Sequence, residues 1–248
     1  MQMNLFVRFF LSCLFSFSYT SLIFAQASND SLFVKIVSDS INKEYISQLM
    51  SEAPIFNGRE FYPTLRLNEG GHTSFVDDNY VSGKLMYDGS EYNNVSMKYD
   101  LVINELILLN YDKVGGIVLR RNHVESFSLN NHSFINIIAG NTQERKIEPG
   151  YYDLLYNGSV QLLAKREKKI VEAINKLNVE RLVESKNTYY LFKNNSYTLI
   201  NGKNGLLKLL IETSQQNKKF LKTNKLNFKK DKENSFIELL RFYDLTKQ

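Results

Sequence analysis

Four turn pairs, Asp88-Gly89, Asn130-Asn131, Asn157-Gly158 and Asn194-Asn195, each stand between two short runs that alternate apolar and polar residues. Asp-Gly, Asn-Gly and Asn-Asn pairs tolerate the positive φ angles of a tight reversal, and a period of two puts one face of each run into a core. From Tyr80 onward these signals point to antiparallel hairpins. Asp88-Gly89 and Asn157-Gly158 are the stronger pairs, and the two Asn-Asn pairs are weaker versions of the same signal.

Alternation also assigns faces. Leu85 and Tyr87 share one side, as do Val95, Met97 and Tyr99, while Ser96 and Lys98 take the other. Leu101 to Tyr111 is apolar almost throughout, which predicts a central strand covered on both faces. Ile117 to Leu119 follows Gly115-Gly116 and ends at Arg120-Arg121, the next turn, so a meander is the simplest connection. The expected fold class is α+β: predominantly antiparallel hairpins in a curved sheet, sandwich or open barrel, with a short N-terminal helix and a C-terminal helical tail.

Helical spacing marks the ends. Ile41, Tyr45 and Leu49 are four apart, although Leu32 to Val37 also fits a strand. Lys165 to Leu177 fits either a helix or an extension of the preceding strand. Leu206, Leu207, Leu210 and Ile211 begin one helix, and Phe220 and Leu221 belong to a second. Phe236, Leu239, Leu240 and Tyr243 stripe a third, with Asp231 as its N-cap.

Residues 1–27 read as a secretory signal peptide: Arg8 is their only charge, Leu5 to Phe24 is rich in Phe and Leu, and Ala25-Gln26-Ala27 offers small residues to a peptidase. The same run would suit a membrane anchor, but Ser and Thr interrupt it and no basic cluster follows. Lipidation at Cys13 fits poorly, because the apolar run continues well past it. Cys13 is the only cysteine, so the processed chain has no disulfide, thiolate metal site or cysteine nucleophile and relies on its core. The expected organisation is a signal at 1–27, a β-rich domain with an N-terminal helix at 28–200, and a basic helical tail at 201–248 packed on it. The expected location is the periplasm or the cell surface. The mature chain should contain no transmembrane span, and its short strands and charged helical ending argue against an outer-membrane barrel.

Charge is uneven. Residues 201–248 hold 11 Lys or Arg against 5 Asp or Glu, whereas residues 28–200 hold 19 against 21. Lys218, Lys219, Lys222, Lys225, Lys229 and Lys230 are therefore candidates for contact with an anionic surface of lipid headgroups or acidic glycan, unless they form an ordinary solvated helix face. Nucleic acid is not an expected partner, because the tail lacks the Arg and stacking aromatics of a reader.

Candidate chemistry is sparse. His72 near Asp77 and Asp78 brings an imidazole close to two carboxylates, but the spacing matches no ligand signature and reads more simply as a polar loop. No Gly-x-Ser-x-Gly elbow and no phosphate-binding glycine loop occurs, so no catalytic residue and no cofactor is assigned. Tyr80, Tyr87, Tyr92 and Tyr99 would stack on a sugar or apolar ligand if they lined a concave sheet, although tyrosine also suits any half-buried strand face.

The segments Asn57-Gly58-Arg59-Glu60-Phe61-Tyr62, Gly83 to Val95, Tyr99-Asp100 and Gly150 to Gly158 together resemble a group of exported proteins of Gram-negative bacteria that carries no established activity. The resemblance implies a periplasmic or surface location and a β-rich fold. The functional expectation is a non-enzymatic envelope module that presents a sheet face and a basic tail to a protein, lipid or glycan partner. The alternatives are a carrier enclosing an apolar ligand in a curved sheet, or a hydrolase in which His72, His123 or His132 converges with carboxylates.

Overall fold

The computed structural model describes residues 52–63, 67, 71–138, 147–175 and 178–247, together with Phe33, Val34, Val37 and Ser40. The chain divides into two units, Met1–Met50 and Ser51–Gln248. In the first, the four described residues are helical, which decides against a strand at those positions. The segment 1–27 and the stripe Ile41, Tyr45 and Leu49 lie outside the described residues.

The second unit is built on an open antiparallel sheet. Its strands are β1 (Arg59–Phe61), β2 (Val81–Tyr87), β3 (Ser90–Asp100), β4 (Glu105–Leu109), β5 (Gly116–Val118), β6 (Val124–Leu129), β7 (His132–Ile137), β8 (Gly150–Asn157), β9 (Gln161–Asn175), β10 (Asn178–Lys193) and β11 (Ser196–Leu199). Helices α1 (Gly202–Leu209), α2 (Ser214–Asn224) and α3 (Lys232–Lys247) follow. The spatial order is β1-β5-β4-β3-β2-β6-β7-β8-β9-β10-β11, so β2 to β5 form one meander and β6 to β11 another. The two meet where β2 pairs with β6. Among the described residues, no helix is long and apolar enough to cross a membrane.

Three of the four turn pairs are two-residue hairpins with both φ angles positive: Asp88 and Gly89 (49° and 72°), Asn130 and Asn131 (49° and 64°), and Asn194 and Asn195 (51° and 59°). The Asn-Asn pairs thus form the same turn as Asp-Gly, because a short amide side chain tolerates the left-handed region. Asn157-Gly158 differs. Its strands pair again only at Asn157↔Gln161, and Gly158 N–H donates to the Val160 carbonyl at 3.0 Å. The cause lies far along the chain: Asp244 on α3 accepts from the backbone N–H of Ser159 at 2.9 Å and from its hydroxyl.

Other expectations shift for local reasons. Leu101 to Tyr111 is not one strand, since the Asp100 carboxylate accepts from the N–H groups of Val102 and Ile103 at 2.9 and 3.1 Å and turns the chain there. Only Glu105–Leu109 remains extended, and its Leu106, Ile107 and Leu108 are buried on both faces. Lys165 to Asn175 is strand, paired residue by residue with β10. Nor are all the strands short: β3, β9 and β10 run to 11, 15 and 16 residues.

The sheet is strongly curled. Lys168 on β9 donates its backbone N–H to Leu101 at the end of β3 at 3.2 Å, although β2, β6, β7 and β8 lie between those strands in the sheet. The concave side from β3 across to β8 is filled by Tyr99, Phe127, Phe134 and Tyr151, rings that pack at 4.7–5.6 Å. The same side of β9 and β10 is covered by the helices. There Leu162, Ala164, Tyr189 and Leu191 pack on Leu206, Leu210, Phe236, Leu239, Leu240 and Tyr243. Burying four side chains of α3 at a spacing of three and four is what holds a helix of this mixed composition. Asp231 stands just before α3: its carbonyl accepts from Ser235 N–H at 3.1 Å, and its carboxylate accepts from the Asn234 amide at 2.9 Å.

Candidate functional site

On α2, Phe220 stacks on Phe242 of α3 at 4.2 Å, and buried Asn217 donates to Thr213 Oγ1 at 2.9 Å and to the Leu210 carbonyl. These contacts fix which side of α2 faces inward. Lys218 and Lys222 stand four apart on one face of α2 with Lys219 beside them, Lys225 caps the helix in the left-handed conformation (φ 47°), and Lys229 and Lys230 lie in the turn before α3. All six are exposed. Among the described residues none of the six forms an ion pair, while Lys98, Lys165, Arg166 and Lys193 of the sheet all do. From Ser214 to Lys232 the chain carries seven lysines against one aspartate. Like charges four apart on a helix repel, so such a face gains free energy when a polyanion lies on it.

The four tyrosines do not form an open face. Tyr87, Tyr92 and Tyr99 are 3%, 7% and 1% exposed and belong to the concave core, because Tyr92 lies directly opposite Leu85 on the covered side. Tyr87 stacks on His123 at 5.6 Å, and burial pushes the Tyr99 hydroxyl well above its ordinary range while it donates to Asn104 at 2.7 Å. Tyr80 alone is partly open, with the Lys98 ammonium 5.1 Å from its ring.

His72, Asp77 and Asp78 lie on residues 71–80, an extended strap that takes the edge of β3 beyond the last β2 pairing and bridges Ser74 to Asp100. Each serves a different partner. His72 Nδ1 is 3.2 Å from Lys168 Nζ, which also donates to the carbonyls of His72 and Ser74 at 3.1 and 2.7 Å. Asp77 accepts from Asn79 N–H at 2.8 Å. Asp78 accepts from Ser74 Oγ at 2.9 Å and Lys98 Nζ at 3.1 Å, and these bonds outweigh burial and hold its carboxyl below the usual range. Desolvation lowers Lys168. Among the described residues no group of three or more His, Cys, Asp or Glu side chains is placed to hold a metal ion.

A third constellation was not anticipated from the sequence. His132 Nδ1 lies 2.8 Å from Asp153 Oδ2, Arg166 donates to the same oxygen from Nε and Nη2 at 3.0 and 2.6 Å, and Arg166 Nη2 reaches Glu233 at 2.9 Å. Tyr189 donates to Glu233 at 2.7 Å, and burial followed by that bond pushes its hydroxyl up to about 12. The members come from β7, β8, β9, β10 and α3, so no local motif announces them. The one available signal was a carboxylate inside the apolar run Tyr151-Tyr152-Asp153-Leu154-Leu155. The network joins the aromatic core to the helical core: Phe134 lies directly opposite Asp153, and Phe236 packs on Tyr189 at 5.5 Å.

No family model, no curated protein and no solved structure matches the chain.

Proposed function

We propose that the protein is a non-enzymatic module of the cell envelope, exported by its N-terminal segment, that attaches to an anionic layer of lipid headgroups through the lysines of α2 and the turn after it. The carrying observation is six exposed lysines clustered on one helix and its turn that, among the described residues, form no ion pair, whereas Lys98, Lys165, Arg166 and Lys193 of the sheet are each paired with a carboxylate. Cations near an anionic membrane contribute about 1 kcal/mol each, so a patch of this size supports reversible attachment.

The packed interior weighs against the carrier, since Tyr99, Phe127, Phe134 and Tyr151 occupy the space a dry cavity needs. Dispersion of the histidines weighs against the hydrolase. His72 meets Lys168, His123 meets Asp88 and His132 meets Asp153, on separate elements.

The test is sedimentation with vesicles of phosphatidylcholine alone and of phosphatidylcholine with phosphatidylglycerol. The full chain binds the anionic vesicles at low salt and releases as salt rises, while a Lys218→Glu/Lys222→Glu/Lys229→Glu variant stays in solution. Equal binding by the variant overturns the reading. Charge substitution is the appropriate perturbation because deleting residues 201–248 would strip Phe236, Leu239, Leu240 and Tyr243 from the core.

A further inference from the structure

On the convex side of β3, beside the strap, lies a cavity of about 200 Å³ bordered by Arg59, Phe61, Tyr62, Asp78, Lys98 and Asp100. We infer that this cavity is a second binding site, for a single neutral sugar ring at the end of a glycan. It shares no residue with the lysine face and does not depend on it.

Three properties select that ligand class. The first is charge. Arg59 and Lys98 are matched by Asp78 and Asp100, so an anion meets two carboxylates, a cation meets two basic groups, and neither gains a net attraction. Donors and acceptors standing side by side suit vicinal hydroxyls, each of which both donates and accepts.

The second is the arrangement of rings and polar atoms. Lys98, nearly buried, holds its ammonium 5.2 Å from the Phe61 ring and 5.1 Å from the Tyr80 ring, and donates to Asp78 Oδ1 at 3.1 Å and to the Asp78 carbonyl at 3.5 Å. Among the described residues, both side-chain contacts of Asp78 fall on that same Oδ1, and the Asp78 side chain is 64% exposed, which leaves Oδ2 to a donor from outside them. Tyr62 is 66% exposed, its hydroxyl held by Glu60. With Val102, Ile103 and Ile170 completing the wall, the cavity offers an aromatic and aliphatic surface to the C–H face of a pyranose and polar groups to its edge.

The third is size. Sites for drug-sized ligands measure about 300–1,000 Å³, so this one has room for roughly one ring.

The test uses saturation-transfer difference NMR on the full chain with the methyl glycosides of glucose, mannose, galactose and N-acetylglucosamine, and with acetate and tetramethylammonium as ionic controls. Transfer to at least one glycoside and to neither ion is expected. Tyr62→Ala, at an exposed position, should raise Kd roughly 3- to 10-fold, the worth of one aromatic contact, with unchanged thermal unfolding. Asp78→Asn should weaken binding similarly, while the triple lysine variant should bind as the wild type does. Absence of transfer to all four glycosides, preferential transfer to an ion, or transfer undiminished in both Tyr62→Ala and Asp78→Asn overturns the inference.

Discussion

Tyr99 on β3 and Tyr151 on β8 touch edge to face, with ring centroids 5.6 Å apart and planes at 90°, although three strands lie between them in the sheet. In a flat sheet four strand spacings would hold them about 19 Å apart. The contact therefore measures the curl, and the rings around it, Phe127 and Phe134 stacked at 4.7 Å, are what the curl encloses.

Removing one of those rings should show how much of the fold depends on them. Phe134 is 0% exposed, and Phe134→Ala is expected to cost about 3–5 kcal/mol, read from the urea midpoint at constant slope. A loss below about 1 kcal/mol would mean that the interior can collapse around the gap.

The ion pair of Arg166 and Asp153 is nearly dry, with side chains 7% and 1% exposed. Among the described residues, Arg166→Met leaves the buried Asp153 carboxylate with His132 alone and Glu233 with Tyr189 alone, and should destabilise by about 3–5 kcal/mol, whereas Arg166→Met/Asp153→Leu, which removes the buried charge, should recover part of the loss. A double-mutant cycle measured by denaturation decides this, and additive single effects would argue against direct coupling.

Stability should depend on pH at two flanks. The hydrogen bond to Asp153 raises His132 above its ordinary 6.5, against the opposing effect of burial. Its contribution is complete below 6.5 and fades as pH rises through the folded-state value. Burial opposes the charge on Glu233, but the bonds from Arg166 and Tyr189 prevail and lower its pKa below 4.5. That contribution is present above 4.5 and is lost as pH falls through the folded value. Urea midpoints across pH 3 to 9 for the wild type and His132→Gln provide the measurement, with only the upper flank expected to flatten in the variant.

The β9–β10 hairpin should open independently at its far end. Among the described residues, beyond Lys168 on β9 and before Tyr189 on β10 the two strands pair only with each other, and Ile174, Val179 and Leu182 are 85%, 53% and 49% exposed. A two-stranded ribbon without a third strand is marginal in water. Amide exchange should be orders of magnitude faster at Val171 and Leu182 than at Leu163 and Leu191, and equal protection would show that something else covers the ribbon.

Much of this architecture was readable from residues 80 to 200. Turn chemistry placed Asp88-Gly89, Asn130-Asn131 and Asn194-Asn195, and alternation put Leu85, Tyr87, Val95, Met97 and Tyr99 on one covered face, because both are local rules. What failed depended on distant partners. Asp244 reshapes the turn after Asn157, and Asp100 ends β3 within an apolar run. The four tyrosines were candidates for a ligand face only while the direction of curl was unknown; once the sheet curls toward them, three become core. The His132–Asp153–Arg166–Glu233 network was invisible for the same reason, since its members meet only after β7, β8, β9 and α3 are assembled. The lysines of α2 were legible because exposure follows from the helical period once Phe220 and Leu221 mark the inner side.

The meeting of β2 and β6 has a consequence for how the molecule can be divided. Between β5 and β6 the chain crosses from one meander to the other in residues 119–123, and every ladder pairing except β2 with β6 lies wholly on one side of that crossing. At the junction a side chain on Gly83 would collide with the Ser128 carbonyl, so the two backbones approach as closely as glycine allows. A chain severed within residues 119–123 would therefore keep each hairpin intact. Its two fragments would carry complementary halves of one ring cluster, Tyr99 on the first and Phe127, Phe134 and Tyr151 on the second, and could reassociate like the parts of a split reporter.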